Sequence, residues 1–322
     1  MNLVKPVDST NRTSKKSDFG KNALGAGVGI IAASQAQKLA SATNSRLLDA
    51  MIKESRALNA NERILINRAA DNVLNQSTNL SKKGVKIVDA AKLSYDKPTK
   101  FGILRNTAKK GNNSFFFFKN KTPKWLKKYA TFFKKETGQD LFNDVVGLNS
   151  MKHNNVYANR SKMSLSLFHE LGHADNFNNS SFMKGIMKAR TPLQSIAMMM
   201  PAVVALTKEE KPENGKELTK GQKIKNKLRK ASPIVAALLM VPSLLDEGVA
   251  NLKANKNAKE LLSSDLAKKV AKSNKIGFAT YSVLTIVGAG LATWLAMKVK
   301  DSITSNQTFC GTNGTKIKAH QG

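Results

Sequence analysis

The sequence predicts an α-rich α+β protein with membrane-associated helices. Apolar residues recur at helical spacing over long stretches, and short β-branched and aromatic runs lie between them. Residues 276–297 form an uncharged stretch of 22 residues, long enough as a helix to cross a hydrocarbon core about 30 Å thick. With 322 residues, the chain can form one large domain or two smaller ones.

Charge and cysteine content narrow the choice of partners and metal ligands. The chain has 53 Lys and Arg against 22 Asp and Glu, a formal net charge of +31 that attracts any anionic polymer or lipid surface. The sequence contains no helix-turn-helix spacing and no basic motif interleaved with aromatic residues. We therefore expect a lipid bilayer and no specific nucleic acid as partner. The single cysteine, Cys310, excludes an intrachain disulfide and a multi-cysteine metal site.

Hydrophobic periodicity and turn signals predict the helices and strands of the N-terminal half of the chain. Residues 44–76 predict two amphipathic helices, broken at the polar patch 59–61. Short apolar or aromatic runs predict strands at residues 84–90, 102–104, 114–118, 144–148 and 154–158. A basic helix with an aromatic face is predicted at residues 123–135.

Four uncharged stretches bear on the relation to a membrane. Residues 276–297 are the best transmembrane candidate, with a buried helix as the alternative. Residues 191–207 and 231–245 are shorter and contain prolines, so they form either a hairpin of short spans or buried helices. Residues 23–36 are too short to span and predict a packed or membrane-surface helix. Between one and four crossings are compatible with these lengths.

The segment FHELGHAD, residues 168–175, carries the clearest chemical signal. His169 and His173 stand four residues apart on a predicted helix, so both imidazoles can face one metal ion. Glu170 lies between them, where a carboxylate can accept a proton from water and pass it to a leaving amine. This pattern predicts one Zn²⁺ per chain and hydrolytic chemistry. Small Gly172 allows a neighbouring backbone to approach the helix.

The third zinc ligand has to come from later in the chain. Asn176 and Asn179 exclude the metalloprotease class in which a glycine and a third histidine occupy those positions. Glu247 follows an apolar run and shares a helical face with Asn251, so we predict Glu247 as the ligand and Asn251 as a hydrogen-bond partner of a ligand histidine. Asp246 is the reserve candidate for the third ligand.

The other acidic residues and histidines near these segments have weaker claims. The carboxylates of residues 209–217 lie in a lysine-rich linker and are expected to be solvated. His153 is predicted in a loop, either without a role or assisting at the site, and His320 in an exposed tail.

At these residues the chain resembles the membrane-embedded gluzincins, the group that includes CAAX prenyl endopeptidases and bacterial heat-shock membrane proteases. The likeness rests on His169 to His173 and on Glu247 to Asn251, and it departs from the family pattern at Asn251, where the family has Asp. It implies a zincin-like fold, one zinc ion, Glu170 as general base and cleavage of peptide bonds in membrane or unfolded proteins. It also implies that residues 154–158, with Val156 and Tyr157, form an edge strand that pairs with substrate. The alternative is an ordinary strand inside a sheet.

These observations predict a membrane-bound zinc endopeptidase with three regions. Residues 1–80 form a basic tail and amphipathic helices, residues 81–260 a catalytic domain with an apolar hairpin at 191–245, and residues 261–322 a transmembrane helix and a polar tail. The alternative is a non-catalytic, basic membrane scaffold with a structural metal site or none.

The distribution of lysines predicts how such a protein is oriented. By the positive-inside tendency, the catalytic region and the linker 208–230 lie on the cytoplasmic side of an inner or plasma membrane, and residues 298–322 on the other side.

Overall fold

The computed structural model describes residues 10–92, 114–118, 153–212 and 217–306, and it is mostly helical with one small sheet. The α-rich composition predicted from the sequence is therefore confirmed. The described helices are α1 (Thr10–Arg56), α2 (Ala60–Gln76), α3 (Thr78–Lys82), α4 (Leu167–Asn179), α5 (Ser181–Leu206), α6 (Lys220–Leu238), α7 (Val241–Leu261), α8 (Ser264–Val283) and α9 (Ala292–Asn306). A π-helical segment, Leu284–Leu291, joins α8 to α9.

The predicted pair of helices with a break at residues 59–61 is confirmed, and its cause is a capping box. The Asn59 side chain accepts the backbone N–H of Glu62 at 2.9 Å, and the Glu62 carboxylate accepts the backbone N–H of Asn59 at 2.9 Å. These bonds satisfy amide groups that the first turn of α2 leaves open. The first of the two helices is longer than predicted, because α1 extends without a break from Thr10 and includes residues 23–36.

The sheet has three short strands, β1 (Lys86–Asp89), β2 (Ser114–Phe117) and β3 (Asn155–Ala158), in the order β1-β3-β2. Strand β3 pairs in parallel with β1 and antiparallel with β2. The three strands were predicted from their apolar runs. The strands at 102–104 and 144–148 and the helix at 123–135 lie outside the described residues.

The prediction that residues 154–158 form a substrate-binding edge strand is wrong. Val156 pairs with Ile87 on one side and with Phe116 on the other, and Tyr157 pairs with Val88 and Phe115. Both hydrogen-bonding edges of β3 are therefore occupied, and no edge is left for a peptide. Alternating apolar residues predict a strand but not its position in the sheet, which depends on pairing with distant segments.

The chain divides into two compact units that are discontinuous in sequence. The larger unit comprises the described residues within 43–191 and 241–282, and the smaller unit comprises those within 10–42, 192–240 and 283–306. The larger unit has a conventional core of branched and aromatic side chains: Ile66 of α2, Leu80 of α3, Val156 of β3, Phe168 and Leu171 of α4, and Val270 of α8. This is the core that supports the HELGH helix.

The smaller unit has the opposite distribution of large and small side chains. Its buried clusters consist mainly of alanines: Ala33, Ala36, Ala205, Ala292 and Ala296 in one, and Ala197, Ala236 and Ala289 with Met240 in the other. Large apolar side chains instead face outward, among them Ile31, Val203, Leu206, Ile234, Leu238, Ile286 and Trp294. Small residues at helix contacts and large apolar residues outside are typical of helices packed in lipid.

Two helical stretches of the described residues are long and apolar enough to cross a membrane, residues 220–261 and 264–304. The predicted transmembrane stretch 276–297 lies in the second, and residues 231–245 lie in the first. Residues 191–207 lie largely in α5, which contains Pro192 and Pro201. Parts of both stretches, residues 220–240 and 283–304, belong to the smaller unit, whose exterior is apolar.

The prediction that residues 298–322 lie across the membrane from the linker 208–230 is wrong for the described part of these segments. Arg229 donates two hydrogen bonds to Asp301, both at 2.8 Å, and the Lys300 ammonium donates to the Thr207 carbonyl. The two charged segments therefore meet at the same end of the smaller unit. The linker is also shorter than predicted, because a capping box at Thr219 starts α6 at Lys220.

We expect the full chain to stay in the membrane fraction when membranes are washed with alkaline carbonate or with about 1 M salt, at which the Debye length falls to about 3 Å. The reason is that the exposed apolar surface of the helices, rather than the net charge of +31, would hold such a protein in a bilayer. The measurement is the share of chain in the pellet after each wash. Release by salt alone would mean that surface charge holds the protein and would contradict this expectation.

Candidate metal centre

Helix α4 presents both histidines of the HELGH segment on one side. It follows a 3₁₀ turn at Ser164–Ser166, and its residues four apart lie one above the other. The His169 and His173 rings are 4.5 Å apart between centroids, and their Nε2 atoms are 3.0 Å apart. Two ring nitrogens therefore point at a common position.

Gly172 determines how closely the next helix approaches this position. A Cβ atom on Gly172 would lie only 2.4 Å from the carbonyl oxygen of Ala250 and 2.9 Å from its Cα. Only glycine permits that separation, and Ala250 on α7 is fully buried against it. The contact brings the adjacent turns of α7, which carry Glu247 and Asn251, to the histidine pair.

The distances among the three predicted ligands fit a zinc ion. Glu247 Oε2 lies 3.0 Å from His169 Nε2, and Glu247 Oε1 lies 3.4 Å from His173 Nε2. Zinc binds such nitrogens at about 2.0–2.1 Å, so two ligands of a tetrahedral ion are about 3.3 Å apart. The distances of 3.0, 3.0 and 3.4 Å are close to that value. His169, His173 and Glu247 form a cluster that could bind a metal ion.

Asn251 lies behind His169, and its hydrogen bonds define the tautomer of that ring. Its Oδ1 is 2.7 Å from His169 Nδ1, while its Nδ2 donates to the Asn274 carbonyl at 3.3 Å. Because the amide nitrogen already has an acceptor, the amide oxygen is the atom that faces the ring. His169 Nδ1 must then donate the proton, which leaves the lone pair of Nε2 free to bind a metal.

Asp246, the reserve candidate for third ligand, lies on the other side of His173. Its Oδ1 is 3.1 Å from His173 Nδ1, an ion-pair distance, although that contact does not have hydrogen-bond geometry. Asn176 Nδ2 donates to the same carboxylate at 3.1 Å, and Arg190 also donates to it. The structure therefore favours Glu247 over Asp246 as the ligand, and it places Asp246 where it orients the second histidine.

The centre has an excess of negative charge that a divalent cation would balance. Glu170, Asp246 and Glu247 contribute three formal negative charges against the single positive charge of Arg190. Burial disfavours a charged ring at His173, but the carboxylates of Glu247 and Asp246 outweigh that cost and raise the pKa of His173 to about 10. The surroundings of this ring therefore strongly favour positive charge, either a proton or a metal ion.

Glu170 is buried beside the histidines and is held by a contact that the sequence did not predict. The Ser114 hydroxyl, at the start of β2, donates to Glu170 Oε1 at 3.0 Å. Among the residues that the structure describes, the other carboxylate oxygen accepts no hydrogen bond and is available for a proton. A serine 56 positions before the motif carries no sequence signal, because only the folding of β2 onto α4 brings it close.

Arg190 and Asn176 were also missed by the sequence analysis. Arg190 Nη1 is 3.1 Å from Glu247 Oε1 and also contacts Asp246. The signal available in the sequence was indirect: two adjacent carboxylates after an apolar run need a cation if they are buried. That requirement does not indicate which of the many basic residues supplies it.

The other histidines and carboxylates that the sequence analysis considered do not belong to the described centre. His153 is exposed, and its ring packs edge-on against Phe177 at 5.7 Å between centroids. Glu209 and Glu210 pair with Lys230 and Lys225, in keeping with the expected solvated linker. His320 lies outside the described residues.

Comparison with known proteins does not extend these observations, because no protein-family model, no curated protein and no solved structure matches the chain. Interpretation of the centre therefore depends on its own geometry.

We expect the wild-type protein to bind about one zinc ion per chain and the His173→Ala variant to bind none, because two ligands cannot hold a structural or catalytic zinc. Zinc content is measured by mass spectrometry on the detergent-purified, metal-replete protein. His153→Ala is the matched control and keeps its zinc, since His153 is exposed. Equal zinc content in the two variants would place the metal elsewhere.

We expect Gly172→Ala to lower the free energy of unfolding by about 1–3 kcal/mol, because the added methyl group would overlap the backbone at Ala250. Gly185→Ala in α5 is the control: nothing lies within 4 Å of its Cβ position, and alanine raises helix stability by up to about 1 kcal/mol. Urea unfolding in detergent measures both. A Gly172→Ala protein as stable as wild type would show that the close approach is not required.

Proposed function

We propose that this chain is a membrane-bound, zinc-dependent endopeptidase. The observation that carries the proposal is the convergence of two imidazole Nε2 atoms and the Glu247 carboxylate, separated by 3.0–3.4 Å, beside a buried glutamate that is adjacent to one of the histidines in sequence. His169, His173 and Glu247 are the residues that would hold the ion.

Zinc, when bound, would supply a Lewis acid that polarises a peptide carbonyl and lowers the pKa of a water molecule. The chain itself provides the proton transfer. Glu170 has one carboxylate oxygen engaged by Ser114 and the other available, so it can accept a proton from water and then deliver it to the nitrogen of the leaving amine. Such transfer contributes about 10²–10⁴-fold to rate in other enzymes.

Three neighbouring side chains support a centre that is held in one arrangement. Asn251 sets the tautomer and orientation of His169, and Asp246 lies against the outer nitrogen of His173. Arg190 joins Asp246 to Glu247 and so keeps the carboxylates in place despite their burial. Partners of this kind orient metal-binding residues and raise the basicity of the histidines.

Strand β2 supports the choice of a peptide as substrate. Within the described strands it lies at one side of the sheet and pairs only with β3. Ser114, its first residue, contacts the general base. An extended peptide added along β2 would therefore run close to Glu170, with main-chain hydrogen bonds that require no particular sequence.

We expect Glu170→Gln to retain about one zinc per chain and to lose at least about a hundredfold in the cleavage of an unfolded protein such as casein, because the amide cannot accept the proton. The exposed Glu260→Gln variant is the control and cleaves as wild type does. Zinc content and cleavage rate are measured on the same preparations.

The outcomes separate the proposal from its alternative. Zinc in both wild type and Glu170→Gln, without hydrolysis by wild type, would indicate a structural metal site in a basic membrane scaffold. Hydrolysis that survives Glu170→Gln would assign the base to another residue. Absence of zinc from metal-replete wild type would refute the metal centre itself.

A further inference from the structure

A cavity of about 940 Å³ lies at the basic end of the smaller unit, in a part of the chain that the proposed peptidase centre does not use. Its wall combines two kinds of side chain. Trp294 and Met297 provide apolar surface, and five lysines provide positive charge: Lys208, Lys211, Lys230, Lys298 and Lys300. The lining also contains three carboxylates.

Those carboxylates do not neutralise the cavity, because each already has a cation. The pairs are Glu209 with Lys230 at 2.8 Å, Asp301 with Arg229 at 2.8 Å, and Glu210 with Lys225. Within the described residues, no carboxylate lies within ion-pair distance of the other lining lysines. An excess of positive charge therefore remains around the cavity.

Lys300 shows that this excess is built into the structure rather than left on a mobile surface. Only 2% of the residue is exposed, and its ammonium group donates to the Thr207 carbonyl. An ammonium group has three donors, and a buried charge without a counter-ion is costly. An anion in the cavity would supply further acceptors, and a negative charge closer than any carboxylate of the described residues provides.

The position of the cavity along the helix indicates what that anion is attached to. The uncharged stretch 276–297 ends beside Lys298, at the point where a transmembrane helix would leave the hydrocarbon core. Trp294 lies one turn earlier and is 44% exposed, as tryptophans at a membrane interface are. The cavity thus combines apolar surface on the lipid side with lysines at the depth of the headgroups.

We propose that this cavity binds the phosphate headgroup of an anionic phospholipid, with one acyl chain along Trp294 and Met297. Lysine ammonium groups act as point charges for phosphate, and basic pockets between membrane helices recognise such headgroups. The proposal rests on the membrane position of the smaller unit and is independent of the metal centre.

Fluorescence of Trp294 provides the test, because it reports on the cavity directly. Trp125→Phe leaves Trp294 as the single tryptophan of the full chain. Phosphatidylglycerol and phosphatidylcholine with identical brominated acyl chains, which quench tryptophan on contact, are titrated into detergent micelles that contain the protein. We expect half-maximal quenching at an approximately tenfold lower mole fraction of phosphatidylglycerol, as favourable charge interactions at a few lysines predict.

Two double variants in this background separate a site from general charge attraction. Lys208→Gln with Lys298→Gln removes two exposed lysines of the cavity and is expected to abolish the preference. Lys220→Gln with Lys227→Gln removes the same charge from exposed positions of α6 outside the lining and is expected to keep it. Equal quenching by the two lipids in the parent protein, or equal loss in both double variants, would overturn the proposal. Displacement of phosphatidylglycerol by millimolar inorganic phosphate would assign the cavity to a soluble anion instead.

Discussion

The close approach of two helix backbones at Gly172 and Ala250 is the contact on which the rest of the candidate centre depends. A side chain at position 172 would hold α7 away from α4, because the Cβ atom would come within 2.4 Å of the Ala250 carbonyl oxygen. With glycine there, Glu247 and Asn251 reach opposite nitrogens of the His169 ring. The same contact lets Asp246 and Asn176 meet next to His173. One missing methyl group therefore sets the spacing of the whole cluster.

The sequence predicted those parts of the centre that lie on regular helices. His169, His173, Glu247 and Asn251 were identified because helical spacing indicates which residues share a face, and the structure brings all four together. Ser114 and Arg190 were not identified, because each contacts the centre from another element, 56 or more positions away in the chain. Helical periodicity carries no information about such contacts.

Contacts between distant segments also explain the two wrong predictions about the fold, the edge position of β3 and the membrane side of the C-terminal segment. The run at Asn155–Ala158 predicts a strand, but its central place in the sheet depends on pairing with β1 and β2. The placement of the C-terminal segment across the membrane followed from lysine counts, whereas the Arg229 contact with Asp301 joins that segment to the first half of α6, which had been predicted as linker. Composition alone also could not show that the buried clusters of the smaller unit would consist mainly of alanines. Nor could it show that the large apolar side chains of this unit would face outward.

The unequal partners of the two histidines imply an unequal hold on a bound ion. His173 is backed by the carboxylate of Asp246, whereas His169 is backed by the neutral amide of Asn251. A carboxylate partner makes an imidazole a stronger electron donor than an amide does. An ion at this centre would therefore be held more strongly by His173 than by His169.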